Sequence, residues 1–241
     1  MWRLPKIFSN ANLISAYSRR SFGNMSLFYG DTSKALGNRE AFLSGLGIDY
    51  KALVCARQVH SDCVICITEK DKGRGALSYE DSIPDTDAFV TDKKNIPLAI
   101  FTADCLSIFL YDAARPAIGI VHAGWRSTKK GIAVRAVKLM QELFSTCPEK
   151  LSVGFGPAIR SCCYEVARDF NKEFSSGIIK KNKRYFLDLA MLNRDGLLGL
   201  GVKEENIFDS NICTFCRNDE FFSFREEGNS CARTMSVIML S

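Results

Sequence analysis

The chain has 241 residues, of which 46% are hydrophobic and 24% are charged, as in an ordinary globular protein. Lysine and arginine number 32 against 27 aspartates and glutamates, which gives a net charge of +5. No block of basic residues marks a nucleic-acid-binding arm, so we expect no nucleic-acid partner. Ten cysteines but only two histidines are present, which excludes a site built from many imidazoles, such as a multicopper oxidase centre.

The sequence predicts a cytoplasmic protein without a membrane partner. No run of about 18 apolar residues is present, so no transmembrane helix is predicted. The first six residues lack the long apolar stretch of a secretory signal. Most cysteines have apolar neighbours, as in Cys63-Val64-Ile65-Cys66, which favours buried thiols in a reducing compartment. No repeat or linker divides the chain, so we expect one domain over residues 1–241.

The first half of the chain predicts one helix followed by short strands. The helix is expected over residues 33–46, because Asp31, Thr32 and Ser33 offer N-caps and Gly47 offers a C-terminal stop. The strands are predicted from short segments with β-branched and aromatic residues. They cover residues 53–59, 64–68, 88–91, 98–102, 106–111 and 118–121. The polar segment 69–85 is either a binding loop or a plain surface excursion.

The second half predicts more helix. Apolar residues from Ile132 to Leu143 recur on one face of a 3.6-residue period, which indicates an amphipathic helix. Further strands are predicted at residues 151–155, 220–224 and 235–240, and further helices at 165–174 and 187–200. Because the central strands follow one another without a helix between each pair, we expect an α+β fold rather than a doubly wound sheet.

Both histidines and one cysteine lie at the ends of predicted strands. They are His60, Cys105 and His122, and side chains at strand ends can converge in the adjoining loops. Two imidazoles and one thiolate form a catalytic zinc ligand set that leaves the fourth tetrahedral position open. Two other interpretations stay open. The histidines could be satisfied by backbone hydrogen bonds, or Cys105 could be a metal-free nucleophile with His122 as its base.

A series of short motifs extends from about Arg19 to the C-terminus. In chain order they are Gln58-Val59-His60, Asp85-Thr86-Asp87-Ala88, Thr102-Ala103-Asp104-Cys105, His122-Ala123-Gly124-Trp125-Arg126, Gly154-Phe155-Gly156-Pro157-Ala158-Ile159, Cys162-Cys163-Tyr164-Glu165-Val166, Phe221-Phe222-Ser223-Phe224-Arg225 and Arg233-Thr234-Met235. Together they resemble the YfiH-like laccase-domain family. The resemblance implies that His60, Cys105 and His122 bind zinc, and that the fold is a mixed β-sandwich flanked by helices.

The resemblance also implies an activity. The family was first labelled multicopper polyphenol oxidase, and members have since been described as purine nucleoside phosphorylases that also deaminate adenosine and cleave methylthioadenosine. Purine nucleosides and phosphate are therefore the expected substrates. Two histidines are too few for the usual laccase mechanism, so we expect zinc rather than copper. Editing of peptidoglycan precursors, the metal-free cysteine hydrolase and a non-catalytic metal-binding module stay open as alternatives.

Three residues are candidates for catalysis beside the metal. Arg126 stands before the helix predicted from Ile132, near its positive end, and Arg19 is the second candidate for binding phosphate. The stretch around Arg19 lacks the glycine pair of the family pattern, so Arg20 competes for that role. Asp104 adjoins Cys105 and would act as an orienting partner or a proton donor.

The remaining motif residues have competing interpretations. Asp85 and Asp87 are typical of turn or cap residues. Trp125 would stack on a base or pack in the core, and Arg225 and Arg233 would form ion pairs or contact ligand.

Two cysteine pairs also need an interpretation. Cys63 with Cys66 and Cys213 with Cys216 could share a zinc ion or form a redox pair, but we favour core packing for every cysteine except Cys105.

Overall fold

Two β-sheets packed face to face form the centre of the fold, and helices cover their outer faces. The computed structural model describes residues 12–241 and, by backbone alone, residues 2–3. Residues 1 and 4–11 lie outside the described residues. Most of the N-terminal segment used to predict a cytoplasmic location, and the start of the predicted domain, therefore lie outside them too.

The strands and helices alternate irregularly along the described chain. In chain order the strands are β1 (Trp2–Arg3), β2 (Leu13–Tyr17), β3 (Val54–Cys55), β4 (Val64–Cys66), β5 (Ala88–Thr91), β6 (Leu98–Thr102), β7 (Leu106–Asp112), β8 (Ala117–Ala123), β9 (Ser152–Phe155), β10 (Glu165–Val166), β11 (Ile178–Lys181), β12 (Arg184–Leu187), β13 (Ile207–Asp209) and β14 (Thr234–Leu240). The α-helices are α1 (Thr32–Ser44), α2 (Trp125–Lys129), α3 (Ile132–Phe144), α4 (Leu189–Gly199) and α5 (Phe224–Glu227).

Both large sheets are mixed. The first has the order β1-β2-β14-β6-β3, with β14 antiparallel to both neighbours and β3 parallel to β6. The second has the order β13-β9-β7-β8-β5-β4, with antiparallel central strands and parallel strands at both edges. A small sheet, β10-β12-β11, lies apart from both.

Apolar side chains fill the space between the two large sheets. On β7, Phe109 belongs to this central cluster, whereas its neighbours Ile108 and Leu110 belong to a cluster on the opposite face. The outer cluster includes the buried face of α3, and α1 covers the outer face of the first sheet. Because both faces of the central strands are covered, their sequences are continuously apolar rather than alternating. The α+β class predicted from the strand pattern is confirmed, and so is the sandwich flanked by helices that the family resemblance implies.

Local sequence signals account for several helix boundaries. Asp31 caps α1 by accepting a hydrogen bond from the Lys34 amide, and Asp188 caps α4 in the same way through the Met191 amide. Gly131, with a φ of 75°, separates α2 from α3. A left-handed backbone at this position suits glycine, which has no Cβ.

The structure contradicts two predicted elements. Residues 165–174 were expected to be helical, but Glu165–Val166 pairs with β12, and a 3-10 helix follows at Arg168–Lys172. Residues 220–224 were expected to be a strand, but they form irregular chain leading into α5. Their apolar character reflects burial of Phe221 and Phe222 in the core rather than sheet pairing.

The cysteines are distributed differently from the expectation as well. Core packing was predicted for all except Cys105, but Cys147, Cys162 and Cys216 are exposed.

No helix in the described part of the chain combines the length and the apolar character that crossing a bilayer requires.

Candidate functional site

Chain segments from both sheets bring His60, Cys105 and His122 together at one end of the sandwich. Cys105 lies in the turn between β6 and β7, and His122 is the penultimate residue of β8. His60 lies in the loop that follows β3, further from the strand than the sequence predicts. Cys105 Sγ is 3.7 Å from His60 Nε2, and the two imidazole ring centroids are 4.8 Å apart. The predicted convergence of the three side chains is therefore observed.

Unusual backbone positions allow this approach. His60 and Asp104 have φ values of 58° and 85°, in a region that few non-glycine residues adopt. At Gly124, a Cβ atom would lie 2.6 Å from His60 Cδ2 and 3.1 Å from Cys105 Sγ. Only glycine can therefore occupy position 124 while the two loops stay this close.

Asp87 holds the two histidines in place. Its buried carboxylate accepts hydrogen bonds from the backbone amides of Val59, His60 and Ser61, at 2.7 to 3.2 Å. It also lies 2.7 Å from His122 Nδ1. Because Nδ1 is used in this way, Nε2 of His122 is left to face Cys105 or a metal ion. The sequence interpretation of Asp87 as a turn or cap residue missed this contact, although its motif had been singled out.

The charges of the site support one another. Burial opposes ionisation of the Cys105 thiol, but the neighbouring imidazoles of His122 and His60 outweigh it and lower its pKa to about 6. Burial likewise opposes a charged His122, but the Cys105 thiolate and the Asp87 carboxylate raise its pKa to about 9. Asp87 keeps a low pKa of about 2 despite burial, because His122 and Ser61 donate hydrogen bonds to it. The site therefore favours a thiolate, the form that binds metals or acts as a nucleophile.

The three side chains fit the requirements of a metal site. Their ligand atoms all lie within 4.8 Å of one another, and within the described residues this group contains no fourth histidine, cysteine or carboxylate. One sulfur and two nitrogen donors suit zinc, and three protein ligands leave a position for water or substrate. All three side chains also line a cavity, so that position would face it.

The cavity has a volume of about 570 Å³, within the usual range for small-molecule sites. Aromatic rings form much of its wall, and Phe28, Tyr29 and Phe224 are exposed at its surface. Tyr79, from the polar segment 69–85, packs against Phe28 with a centroid distance of 4.7 Å. Gly75, Tyr79 and Ser82 of segment 69–85 line this cavity. Phe28 and Tyr29 are not among the residues predicted from the sequence, although two adjacent aromatic residues in a loop are a usable signal.

Arginines supply positive charge to the same cavity. Arg126, Arg225 and Arg233 line it, each with its guanidinium over an aromatic ring. The distances to the ring centroids are 4.2 Å for Arg126 over Trp125, 5.2 Å for Arg225 over Tyr164 and 4.1 Å for Arg233 over Tyr29. The structure thus places Trp125, Arg225 and Arg233 at the site, where the sequence left their roles open.

Of the three predicted catalytic residues, Asp104 and Arg126 line the cavity and Arg19 does not. Asp104 lines the cavity, and its carboxylate accepts hydrogen bonds from Thr214 Oγ1 at 2.6 Å and from the Arg225 amide at 2.7 Å. Arg126 also lines the cavity, but it belongs to the short helix α2, which separates it from the start of α3 that it was predicted to precede directly. Arg19 is absent from the described lining and forms an ion pair with Glu220 at 3.0 Å. Its position does not support the predicted contact with phosphate.

Comparison with known proteins places this geometry among relatives. Residues 14–241 match the family model described as multi-copper polyphenol oxidoreductase laccase. The purine nucleoside phosphorylase YlmD of Geobacillus stearothermophilus is 32% identical over 225 residues, which are 89% of this chain and 82% of that protein. Adenosine deaminase RL5, from an unknown prokaryotic organism, is 31% identical over 86% of this chain and 82% of its own.

A solved structure agrees with the fold. The crystal structure of YlmD from Geobacillus stearothermophilus superimposes with a TM-score of 0.92 at 29% sequence identity. The match covers 98% of this chain and 94% of that one. The similarity therefore includes both sheets and all of the elements that surround the cavity.

Proposed function

This chain belongs to the multi-copper polyphenol oxidoreductase laccase family, and we propose that it is a zinc-dependent purine nucleoside phosphorylase. One observation carries the proposal: a single cavity of about 570 Å³ combines the His60, Cys105 and His122 cluster with arginines and aromatic rings. The names of two relatives, a phosphorylase and a deaminase, are consistent with a nucleoside as the substrate.

The lining of the cavity provides what a nucleoside and phosphate need. Arg126, Arg225 and Arg233 all line the cavity, so a phosphate bound there would receive guanidinium hydrogen bonds. The exposed rings of Phe28, Tyr29 and Phe224 are proposed to stack on the base.

We propose that zinc is held by His60 Nε2, Cys105 Sγ and His122 Nε2. When bound, zinc supplies Lewis-acid polarisation of an oxygen at its open position. Asp87 orients His122 and fixes the backbone around His60, so the ligands are positioned before the metal arrives. Two histidines cannot supply the imidazoles that several copper ions require, which is why we propose zinc rather than copper.

In the proposed reaction, one bond to the sugar carbon C1′ breaks and one new bond to the same carbon forms. The bond between C1′ and the purine nitrogen breaks, and its electron pair leaves with the base, which takes up a proton. A phosphate oxygen forms the new bond to C1′. The attacking hydrogen phosphate supplies the proton that the base takes up, and the guanidinium of Arg126 is proposed to hold that phosphate. Asp104, whose two carboxylate oxygens accept hydrogen bonds from Thr214 and the Arg225 amide, is proposed to orient the cavity wall beside Cys105.

The test is phosphate-dependent turnover. Purified protein is incubated with inosine or adenosine, with and without phosphate, and the free base and ribose 1-phosphate are measured. We expect turnover to require phosphate, to disappear on metal chelation and to return with zinc. The variant Cys105→Ala should be inactive, whereas Cys147→Ser, which changes an exposed cysteine elsewhere, should keep full activity.

Two outcomes would contradict the proposal. Consumption of nucleoside that does not change when phosphate is omitted would reject phosphorolysis. Full activity of zinc-free protein, combined with loss in Cys105→Ala, would favour a cysteine hydrolase with His122 as base and Asp87 as its orienting partner.

Deamination of adenosine is a second candidate, favoured by the 31% identical relative named adenosine deaminase. It needs water in place of phosphate, at the same open side of the three proposed ligands. Release of ammonia and formation of inosine from adenosine, without phosphate, would identify it. Phosphorolysis of methylthioadenosine and a cytoplasmic location stay predictions.

A further inference from the structure

We propose that Cys162, Cys163, Cys213 and Cys216 form a second zinc site, one with a structural role. It lies outside the His60, Cys105 and His122 cluster and does not depend on the proposed phosphorylase activity. The four thiols come from two loops about fifty residues apart in the sequence, one after β9 and one after β13. Cys63 and Cys66, which the sequence allowed as zinc-binding partners of Cys213 and Cys216, do not belong to this group of sulfurs.

The distances between the sulfurs favour one metal ion. All four Sγ atoms lie within 4.8 Å of one another. Cys216 Sγ is 3.8 Å from Cys162 Sγ and 3.3 Å from Cys163 Sγ. Zinc–sulfur bonds of about 2.3 Å in a tetrahedron place the sulfurs about 3.8 Å apart. An iron–sulfur cluster would hold its cysteines around several metal atoms, and so further apart.

The backbone around Cys213 is arranged to stabilise a thiolate. The backbone amides of Cys216 and Arg160 donate hydrogen bonds to the sulfur of Cys213. Four thiols this close resist becoming four thiolates unless a cation neutralises them, and a zinc ion would do so with release of their protons.

Hydrogen bonds and an ion pair between the two loops hold the four thiols close together. Ala158 and Cys213 form a parallel bridge, with hydrogen bonds from the Ala158 amide to Ile212 and from the Thr214 amide to Ala158. Arg160 forms a two-point ion pair with Asp209, at 2.6 and 2.8 Å. The thiols are thus brought together by contacts that do not depend on the metal.

A zinc ion at the four cysteines would also fix part of the cavity wall. Thr214, between the two cysteines of the second loop, donates its hydroxyl hydrogen bond to Asp104. Tyr164, directly after Cys163 in the first loop, lines the cavity below the Arg225 guanidinium. Zinc at the four cysteines would tie these two loops together and so hold both residues in place.

The first test is metal content measured by elemental analysis of purified protein. We expect about two zinc ions per chain in the wild type and about one in the double variant Cys162→Ser/Cys216→Ser. Cys105→Ala should also retain about one, which separates the two sites. Cys147→Ser is the matched control and should keep the wild-type content. The proposal would be overturned if the double variant kept the wild-type zinc content. It would also be overturned if iron occupied the four-cysteine site.

A second measurement uses the wild type and does not require that a variant folds. Cysteines of zinc-loaded protein are alkylated with iodoacetamide and mapped by mass spectrometry. Cys162 and Cys216 should be protected although their side chains are exposed, whereas the exposed Cys147 should react. Chelation should make Cys162 and Cys216 reactive. Alkylation at the rate of Cys147 with zinc present, or a disulfide between Cys163 and Cys216, would overturn the site.

These outcomes are distinguishable from failure of the proposed function. Zinc that is lost only in the four-cysteine variant, from a protein without phosphorolytic activity, would leave this inference standing and reject the phosphorylase. Zinc that is lost only in Cys105→Ala, from a protein with phosphorolytic activity, would reject the four-cysteine site and leave the phosphorylase standing.

Discussion

At the residue scale, Asp87 connects the loop that holds His60 with the strand that holds His122. One buried carboxylate accepts hydrogen bonds from three consecutive backbone amides and contacts His122 Nδ1. No neutral side chain can accept all of these bonds, because an amide side chain must turn one donor group toward another donor. Asp87 is therefore a positioning residue that acts through His60 and His122.

Replacing Asp87 tests this role. Asp87→Asn should weaken zinc binding by roughly 10- to 100-fold, because the His122 ring and the His60 loop lose their shared anchor. Affinity is measured by competition with a chromogenic chelator. Asp85→Asn is the matched control, since Asp85 is exposed and its φ of 48° suits asparagine. Unchanged affinity in Asp87→Asn would show that the carboxylate does not position the ligands.

The three residues of the candidate metal site could be predicted from the sequence, but their hydrogen-bond partners could not. A count of two histidines left few combinations, and the motifs singled out His60, Cys105 and His122. The partners of Asp87 and Asp104 depend on loops far away in the sequence, such as the loop that supplies Thr214. Contacts at such separations leave no periodic signal in the chain.

At the element scale, α1 supports two loops of the cavity through one buried side chain. Arg39 is 1% exposed and donates hydrogen bonds to the carbonyls of Met25, Gly75 and Ala76, at 2.7 to 3.1 Å. Burial lowers its pKa, but Cys55 opposes this effect. The segments around Ser26 and Gly75 line the cavity, so Arg39 links helix α1 to the site.

Removing the guanidinium of Arg39 should destabilise the protein. Arg39→Met keeps most of the side-chain volume but leaves three carbonyls without their donor, which should cost roughly 2–4 kcal/mol in the free energy of unfolding. Urea denaturation measures the loss. Lys34→Met, on the exposed face of the same helix, is the control and should change stability little. Equal midpoints for both variants would contradict the role of Arg39.

Elements were predicted well where one pattern determined them. Helix α3 and strands β5 and β6 have the expected bounds almost to the residue, because the apolar period determines the helix and short apolar runs with β-branched residues determine the strands. The segment after Tyr164 was predicted wrongly as a helix. Its pairing with β12 is a tertiary contact, and it overrides a local propensity for helix.

At the scale of the whole molecule, two buried ionisable groups, Tyr17 and Cys231, hold their protons more tightly in the folded state than in the unfolded chain. Burial raises the pKa of Tyr17 from its ordinary value of 10.0 to about 12, although the charge of Arg19 opposes it. Burial and Glu227 raise the pKa of the Cys231 thiol to about 12. The folded state therefore retains these protons at a pH where the unfolded chain has lost them.

Stability should consequently fall in alkali. Tyr17 contributes fully below about pH 10, and its contribution is lost as the pH rises from about 10 through 12. The free energy of unfolding, measured by urea denaturation at about pH 8 and about pH 11, should decrease less in Tyr17→Phe than in the wild type. Tyr185→Phe, on the half-buried strand β12, is the control and should follow the wild type. Identical pH dependence in Tyr17→Phe would contradict this origin.

The sequence by itself determined the class of the fold and singled out His60, Cys105 and His122 as candidate ligands, because residue counts, apolar runs and ordered motifs are local properties. Only the tertiary structure decided which distant residues meet. Arg225 and Arg233 line the cavity, and Arg19 forms an ion pair with Glu220. Cys162 and Cys163 both lie close to Cys216. Such encounters follow from the packing of two sheets and the loops at their ends, where the partners of each side chain are set by shape and hydrogen bonding over the whole chain.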